Sequence, residues 1–473
     1  MTAMEWPLWA LGTAAFLAAL AASAHALVYK RDPRSATLWV LVIWLLPMFG
    51  WLLYLLLGIN RVRRKASAVR EPLARRRGDA CRRDTPEPVA EGLAGLREMS
   101  RRVTGRELTS GNRITPLVNG AEAYPAMLQA IDGARSSIAL SSYIFDRAGI
   151  GADFVTALER AKQRRVQVRV LIDDVYVRLS RSSAYTPLER AGVPVAAFNS
   201  PLIPARLHAI NLRNHRKLLV VDGRIGFTGG MNIHQPYWQP DDPDRAERDL
   251  HFQLEGPVVR HLAEVFAEDW EFTTGEALSG DSWLADVPEA GTVPARGIDD
   301  GPDENLDRLR WVFIGALAAA RRTVRIWTPY FVPDQAIIAA LNAAALRDVS
   351  VDILLPARSD HRIVDWAAVA HFWQVLEHGC RIWLRDEPFD HSKLFVVDGA
   401  WSCFGSSNWD ARSLRLNFEF NVEAYGTVPG EQLDRLFTDA LSTARQVTLA
   451  EVNNRHPAVK LRDGAARLFT PFL

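Results

Sequence analysis

Two segments of the chain carry the same reactive side chains at the same spacing. The first runs His215-Arg216-Lys217-Leu218-Leu219-Val220-Val221-Asp222-Gly223 and is followed by Gly229-Gly230-Met231-Asn232. The second runs His391-Ser392-Lys393-Leu394-Phe395-Val396-Val397-Asp398-Gly399 and is followed by Gly405-Ser406-Ser407-Asn408. In both, a lysine lies two residues after a histidine, Asp-Gly closes an apolar run, and an asparagine lies seventeen residues after the histidine. An apolar run ending at Asp-Gly predicts a strand and a tight turn. Residues two apart on a strand project from one face, so each histidine is expected beside its own lysine. A single His-x-Lys is uninformative; two copies with matched Asp, Gly and Asn point to a duplicated unit whose motifs meet in one cleft.

Two imidazoles, two ammonium groups and two amides suit a tetrahedral phosphodiester. Lys217, Lys393, Asn232 and Asn408 would hold its non-bridging oxygens. One of His215 and His391 would attack phosphorus while the other protonates the leaving oxygen. Asp222 and Asp398 belong to the candidate catalytic set as members of the motif, but their place at a strand end points to holding turn or backbone groups. No Asp/Glu cluster calls for a metal, and no cofactor is expected.

The elements around the motifs repeat as well. Helices are predicted at Ala121–Ala134 and Phe154–Gln163, and strands at Ile114–Val118, Ser137–Phe145 and Val166–Ile172. The order returns with helices at Asp307–Ala320 and Asp334–Leu346 and strands at Thr323–Thr328 and Val351–Leu355. Alternating strands and helices predict an α/β fold with a largely covered sheet. Residues 112–274 form the expected first domain, 275–304 a Gly-, Pro- and Asp-rich linker, and 305–473 the second domain. A length of 473 residues accommodates both and more. A formal charge of +1 argues against a general polyanion binder, and three cysteines without C-x-x-C offer neither a disulfide framework nor a zinc site.

Residues 1–60 are expected to hold two transmembrane helices. Pro7 to Tyr29 and Ser35 to Asn60 carry no Asp, Glu, Lys or Arg, and each is long enough to cross about 30 Å of hydrocarbon. Pro47 and Gly50 are expected to kink the second. A signal peptide is the alternative for the first, but no Lys or Arg precedes the apolar run; a buried core helix is the alternative for the second. The basic arm in 61–111, Arg61 to Arg83, outweighs the Lys30–Arg34 loop in positive charge, which places the arm and everything after it in the cytoplasm. Ala367–Trp373 reads first as core, with lipid contact the alternative, and the C-terminal Leu468–Leu473 carries the same ambiguity.

The doubled H-x-K-x4-D-G motif resembles the phospholipase D superfamily. The helix pair, Arg213–Lys217, Gly229–Ile233, Gly405–Ser413, Asn417-Phe418-Glu419 and the Pro-Phe-Leu end resemble bacterial cardiolipin synthases in particular. That resemblance covers nearly the whole chain. It implies duplicated phospholipase D-type domains in one pseudo-twofold α/β sandwich behind a two-helix transmembrane hairpin in the bacterial inner membrane. It implies a phosphatidyl-histidine intermediate, with His215 the nucleophile and His391 the acid and base by analogy, and acidic residues, Glu419 and Asp249, that orient the imidazoles. The implied reaction joins two phosphatidylglycerols into cardiolipin and glycerol, with anionic membrane lipid as partner and no nucleic acid. A phospholipase D hydrolase, a phosphatidyltransferase using another acceptor such as phosphatidylethanolamine, a superfamily nuclease and a non-catalytic membrane scaffold are the alternatives.

Overall fold

An uncharged Ala- and Leu-rich run makes the first element of the chain. The structure, a computed structural model, describes residues 8–30, 33–58, 91–198, 213–302 and 305–470. Helix α1 (Leu8–Tyr29) has 22 residues and therefore rises roughly 33 Å. Its Gly12–Tyr29 part is long and apolar enough to cross a membrane. The second apolar run is broken. Helix α2 covers Pro33–Leu45, a turn follows, and α3 (Gly50–Leu53) leads into a π-helical turn at Tyr54–Gly58. Pro47 accounts for the break, because it lacks an N–H and its ring crowds the preceding turn. With 13 residues, α2 rises only roughly 20 Å, so the second continuous helix expected from the sequence is an interrupted one. Ala19, Ala22 and Ala26 of α1 form a small cluster with Ile43 and Tyr54. Phe16, Leu17, Leu20 and Leu27 stay exposed, the reverse of a water-facing helix. The basic positions from Arg61 to Arg83, on which the orientation argument rests, lie outside the described residues.

In the second unit, helix Ala94–Thr104 leads into β1 (Thr109–Val118), followed by β2 (Ser137–Ser142), β3 (Gln167–Asp173), β4 (Val195–Phe198), β5 (Arg213–Asn214), β6 (Leu218–Val221), β7 (Ile225–Gly229) and β8 (Leu250–Glu255). The second half holds β9 (Val293–Asp300), β10 (Thr323–Trp327), β11 (Phe331–Val332), β12 (Ser350–Pro356), β13 (Arg381–Arg385), β14 (Leu394–Val397), β15 (Trp401–Gly405), β16 (Trp409–Asp410), β17 (Asn417–Tyr425) and β18 (Ala444–Val447). One sheet runs through both halves. From the antiparallel pair β1/β9 at its centre, the order is β8-β7-β6-β2-β3-β4 in one direction and β17-β15-β14-β10-β12-β13-β18 in the other. The matched orders are the pseudo-twofold expected from the repeated motif. Helices Asn119–Gly133 and Ile150–Gln163 cover the first half around Phe154, Ile138 and Val170; helices Arg308–Ala319, Gln335–Ala345 and Arg362–Leu376 cover the second around Phe313, Ile326 and Ile353. The Phe252 ring of β8 stacks on Phe404 of β15 with centroids 3.8 Å apart, which ties the halves face to face.

The segment 275–304 is more than a linker, because it contains β9. Its polar residues are buried through pairing: Arg296 Nε donates to Glu423 at 2.6 Å, and Asp299 accepts from Asn305 and Arg308. Composition hid the strand because charge, not apolar alternation, occupies its inner positions.

Candidate active site

Both motifs begin just before their strands. Residues 215–217 and 391–393 are extended but unladdered, and β6 and β14 start at Leu218 and Leu394. Lys217 Nζ donates to the His215 carbonyl at 2.8 Å, and Lys393 Nζ to the His391 carbonyl at 2.5 Å. The alternation that the sequence implies persists: Arg216, between His215 and Lys217, is fully buried and paired with Asp269 of helix Val259–Thr274 at 2.5 and 2.6 Å.

Each histidine is held by the opposite half. The His215 N–H donates to the Phe418 carbonyl at 2.9 Å, and its Nδ1 lies 3.0 Å from both Glu419 carboxylate oxygens. The His391 N–H donates to the Arg248 carbonyl at 2.7 Å, and its Nδ1 lies 3.0 Å from Asp249 Oδ2. Backbone and ring of each histidine thus grip consecutive residues of the other half, Phe418–Glu419 in β17 and Arg248–Asp249 just before β8. A carboxyl group on Nδ1 sets the tautomer and leaves Nε2 facing the cleft.

The two carboxyls differ. Burial pushes Glu419 up, but the charges of His215 and Lys217 and the hydrogen bonds from His215 and Ser406 outweigh it and hold the group below its usual range. Ser406 Oγ donates at 2.6 Å and Asn417 Nδ2 at 3.2 Å. Asp249 has the Leu250 N–H and His391 as partners, and burial drives it well above the carboxylate range. Gly230 stands where Ser406 stands in the other half, and a Cβ there would come within 2.3 Å of Asp249 Oδ1.

The cations are desolvated. Burial, with Lys393 nearby, brings Lys217 down to about 7; burial also brings Lys393 down to about 8. Burial lowers His215 to about 4 and His391 well below the imidazole range, with both lysines adding to the effect on His391. Negative charge placed beside these groups would oppose the shifts, as Glu419 already does for both lysines and His215.

Asn232 Oδ1 accepts from the Ile144 N–H at 3.2 Å, leaving its NH2 end for a ligand. Asn408 is set differently: its amide hydrogen-bonds Asp410, while its Oδ1 has no partner. Asp222 and Asp398 are not cleft residues, a correction to their inclusion among the catalytic candidates. Five residues beyond the lysines, they lie roughly 16 Å along the strands. Asp222 accepts from the N–H groups of Arg135, Ser136 and Ser137, and Asp398 from those of Arg321, Arg322 and Thr323. Their φ values of 53° and 55° put both in the left-handed turn that reaches these amides.

The aromatic rim had no motif to announce it, whereas Arg213 and Arg412 stand in the words that carry the family resemblance. Tyr143 lies edge-on to His215 at 5.4 Å and 5.6 Å from Lys217 Nζ, and Arg213 and Arg412 crowd beside it, so that burial and mutual repulsion lower Arg412. Around His391 stand Tyr237, Tyr330 and Phe389 at 6.3, 6.3 and 5.8 Å. The repeat is the one signal that leads to them: Tyr143 and Tyr330 follow β2 and β10, which flank the motif strands.

A family model described as cardiolipin synthase, PLD-like domain, matches residues 127–270 and 313–441. The chain belongs to the cardiolipin synthase family of the phospholipase D superfamily. A phospholipase D-nuclease N-terminal model matches residues 17–58. A cardiolipin synthase of Geobacillus thermodenitrificans is 31% identical over 451 residues, covering 94% of this chain and 90% of that protein. One of Staphylococcus aureus is 29% identical over 460 residues, covering 94% and 92%. Among solved structures, a phosphatidylserine synthase of Haemophilus influenzae matches with a TM-score of 0.59 at 13% identity, over 80% of this chain and all of that one, which shows the shared fold. Family membership makes the chain an enzyme of the phosphatidyltransferase class.

Proposed function

We propose that the enzyme moves a phosphatidyl group from one phosphatidylglycerol to the free hydroxyl of a second, giving cardiolipin and glycerol. The observation that carries this reading is the crossed pair of histidine–carboxyl contacts around two buried lysines, each histidine oriented by the other half. Phosphate enters between Lys217 and Lys393, restoring their charge and raising the pKa of His391. Asn232 donates its NH2 to a phosphate oxygen, and Asn408 does the same on turning from Asp410. His215 Nε2, its Nδ1–H held by ionised Glu419, attacks phosphorus. The phosphorus–oxygen bond to glycerol breaks, and that oxygen takes the Nε2 proton of His391. The second phosphatidylglycerol then gives its hydroxyl proton to His391 and attacks phosphorus, and the phosphorus–nitrogen bond breaks. Proton, leaving group and phosphatidyl group balance, and two displacements retain configuration. The unequal carboxyls favour His215 as the nucleophile: a hydrogen-bonded, ionised Glu419 stabilises its developing positive charge.

The anchor in this reading is α1 followed by the interrupted α2–α3 segment, crossing the inner membrane as a hairpin with the catalytic unit on the cytoplasmic side. Supporting it are the charge-free apolar runs and the excess of Lys and Arg after them. Membranes containing the enzyme, given labelled phosphatidylglycerol, should yield cardiolipin and glycerol. Phosphatidic acid as the main product would replace transfer with hydrolysis; degraded DNA without lipid turnover would sink the lipid reading.

A further inference from the structure

Two segments left undecided by the sequence meet on one surface. Helix Arg362–Leu376 begins at the rim of the cleft: the Tyr330 hydroxyl donates to Asp360, the His361 ring stacks on Tyr330 at 6.1 Å, and Tyr330 lies 6.3 Å from His391. Ala367, Ala370 and Phe372 of this helix are core, whereas Ile363 and Trp373 are 39% and 42% exposed. With Trp366 between them, these positions fall on one helical face. Helix Pro457–Arg467 packs alongside and lays the Arg462 guanidinium 4.5 Å over the Trp366 ring. Its inner residues Asp463 and Ala466 are buried, while Leu461, Leu468 and Phe469 are 77%, 76% and 54% exposed. Exposed Arg362, Lys460 and Arg467 flank these apolar residues.

We propose that this paired-helix surface seats on an anionic phospholipid leaflet and presents the His391 side of the cleft to it. Large apolar side chains in water on adjacent helices mark an interaction surface. Basic residues interleaved with Leu, Trp and Phe are the composition that partitions into a headgroup layer, where Lys and Arg meet anionic lipid. A protein partner fits less well, because interface cores are depleted of lysine. A tether alone leaves the orientation of a cleft open; a second contact beside the cleft removes that freedom. The direction of substrate entry rests on the phosphatidyl-transfer reading, but the docking does not.

The test uses full-length enzyme, with Cys81 replaced by Ser, in vesicles of phosphatidylglycerol and phosphatidylcholine. Cys380 and Cys403 are buried, so a fluorophore goes selectively to Leu461→Cys, Leu468→Cys or, as control, Val428→Cys. Val428 is 79% exposed beside the Asp398–Gly399 turn, at the far end of β14 from His391. Labels at 461 and 468 should shift to the blue and be quenched severalfold more by brominated lipid than the label at 428. Equal access of aqueous iodide at all three sites overturns the proposal, as does a shift that follows protein density, which would mark a second copy as the occupant. Leu461→Asp with Leu468→Asp should slow turnover of bilayer phosphatidylglycerol at least tenfold and leave turnover of monomeric short-chain phosphatidylglycerol within twofold; equal loss on both substrates counts against it. Labels that sense lipid in an enzyme that turns over no phosphatidylglycerol would uphold the docking and remove the transfer reading alone.

Discussion

Glu419→Gln isolates the contact on which the proposed mechanism depends. The substitution keeps shape and volume but removes the charge that faces His215 Nδ1 at 3.0 Å. A hydrogen bond to a charged group contributes about 1.5–3 kcal/mol, and about 1.4 kcal/mol is tenfold in rate, so loss of the charge alone costs roughly 10- to 150-fold. A second effect follows from the neighbours. Ser406 Oγ donates at 2.6 Å and Asn417 Nδ2 at 3.2 Å to the two oxygens, so a glutamine must turn its NH2 toward one of three donors. Turned toward His215, it makes Nδ1 an acceptor and moves the ring proton to Nε2, where it blocks attack. A wrong tautomer in a comparable catalytic triad costs about 10⁴ in kcat. The expected loss in kcat therefore lies between roughly 10 and 10⁴, and KM should rise near neutral pH, because the Glu419 charge also holds up the pKa values of Lys217 and Lys393. The assay is the initial rate of glycerol release from phosphatidylglycerol in mixed micelles, with thermal unfolding as a check on folding. The same variant should lose the labelled phosphatidyl–protein adduct trapped by an alkaline denaturing quench, phosphohistidine being stable in base. A variant that folds, keeps kcat within threefold and still traps adduct would refute the cross-half orientation of His215.

Asp222→Asn should retain most activity while losing about 1–2 kcal/mol of stability, since asparagine tolerates the left-handed turn but accepts less strongly from the Arg135, Ser136 and Ser137 amides; an inactive enzyme of unchanged stability would instead make Asp222 a reacting group. Affinity for dimethyl phosphate, a competitive probe of constant charge, should be greatest below about pH 7 and fall at least tenfold by pH 9, because Lys217 and Lys393 lose their protons near 7 and 8; affinity that rises with pH contradicts the cradle. Gly405→Ala should destabilise by at least about 2 kcal/mol, because φ is 154° and the new Cβ would lie 2.3 Å from the Phe420 carbonyl oxygen, next to Glu419; an unchanged unfolding midpoint would count against that placement.

Much of the site was legible because the duplication is local. His215, Lys217, His391 and Lys393 stand within short words whose spacing survives any packing, and the flanking helices and strands follow ordinary periodicity. Strand β17 was harder. Asn417, Glu419, Asn421 and Glu423 alternate with apolar residues, a pattern that ordinarily faces one side to water, yet every residue from Asn417 to Tyr425 is buried. Beside the nearby Tyr425 hydroxyl, Glu423 accepts from Arg296, Ser100 and Trp401, which lie 22 or more residues away, so a local window does not show that its face is closed. Asp222 and Asp398 illustrate the opposite case: the motif groups them with the reacting residues, and their hydrogen bonds separate them.

The sequence by itself determined that there are two matched His/Lys/Asn sets, that they sit on an α/β repeat, and that an apolar N-terminal helix precedes them, because side-chain type, spacing and hydropathy are properties of short segments. Only the tertiary structure decided which carboxyl serves which histidine. Glu419 and Asp249 each follow a motif of their own half, yet the parallel pairing of β5 with β17 and the Arg248–Asp390 bridge set each beside the histidine of the other. A contact made by pseudo-twofold symmetry has no signature in either repeat, since both halves carry the same partners and the pairing arises where the sheets meet.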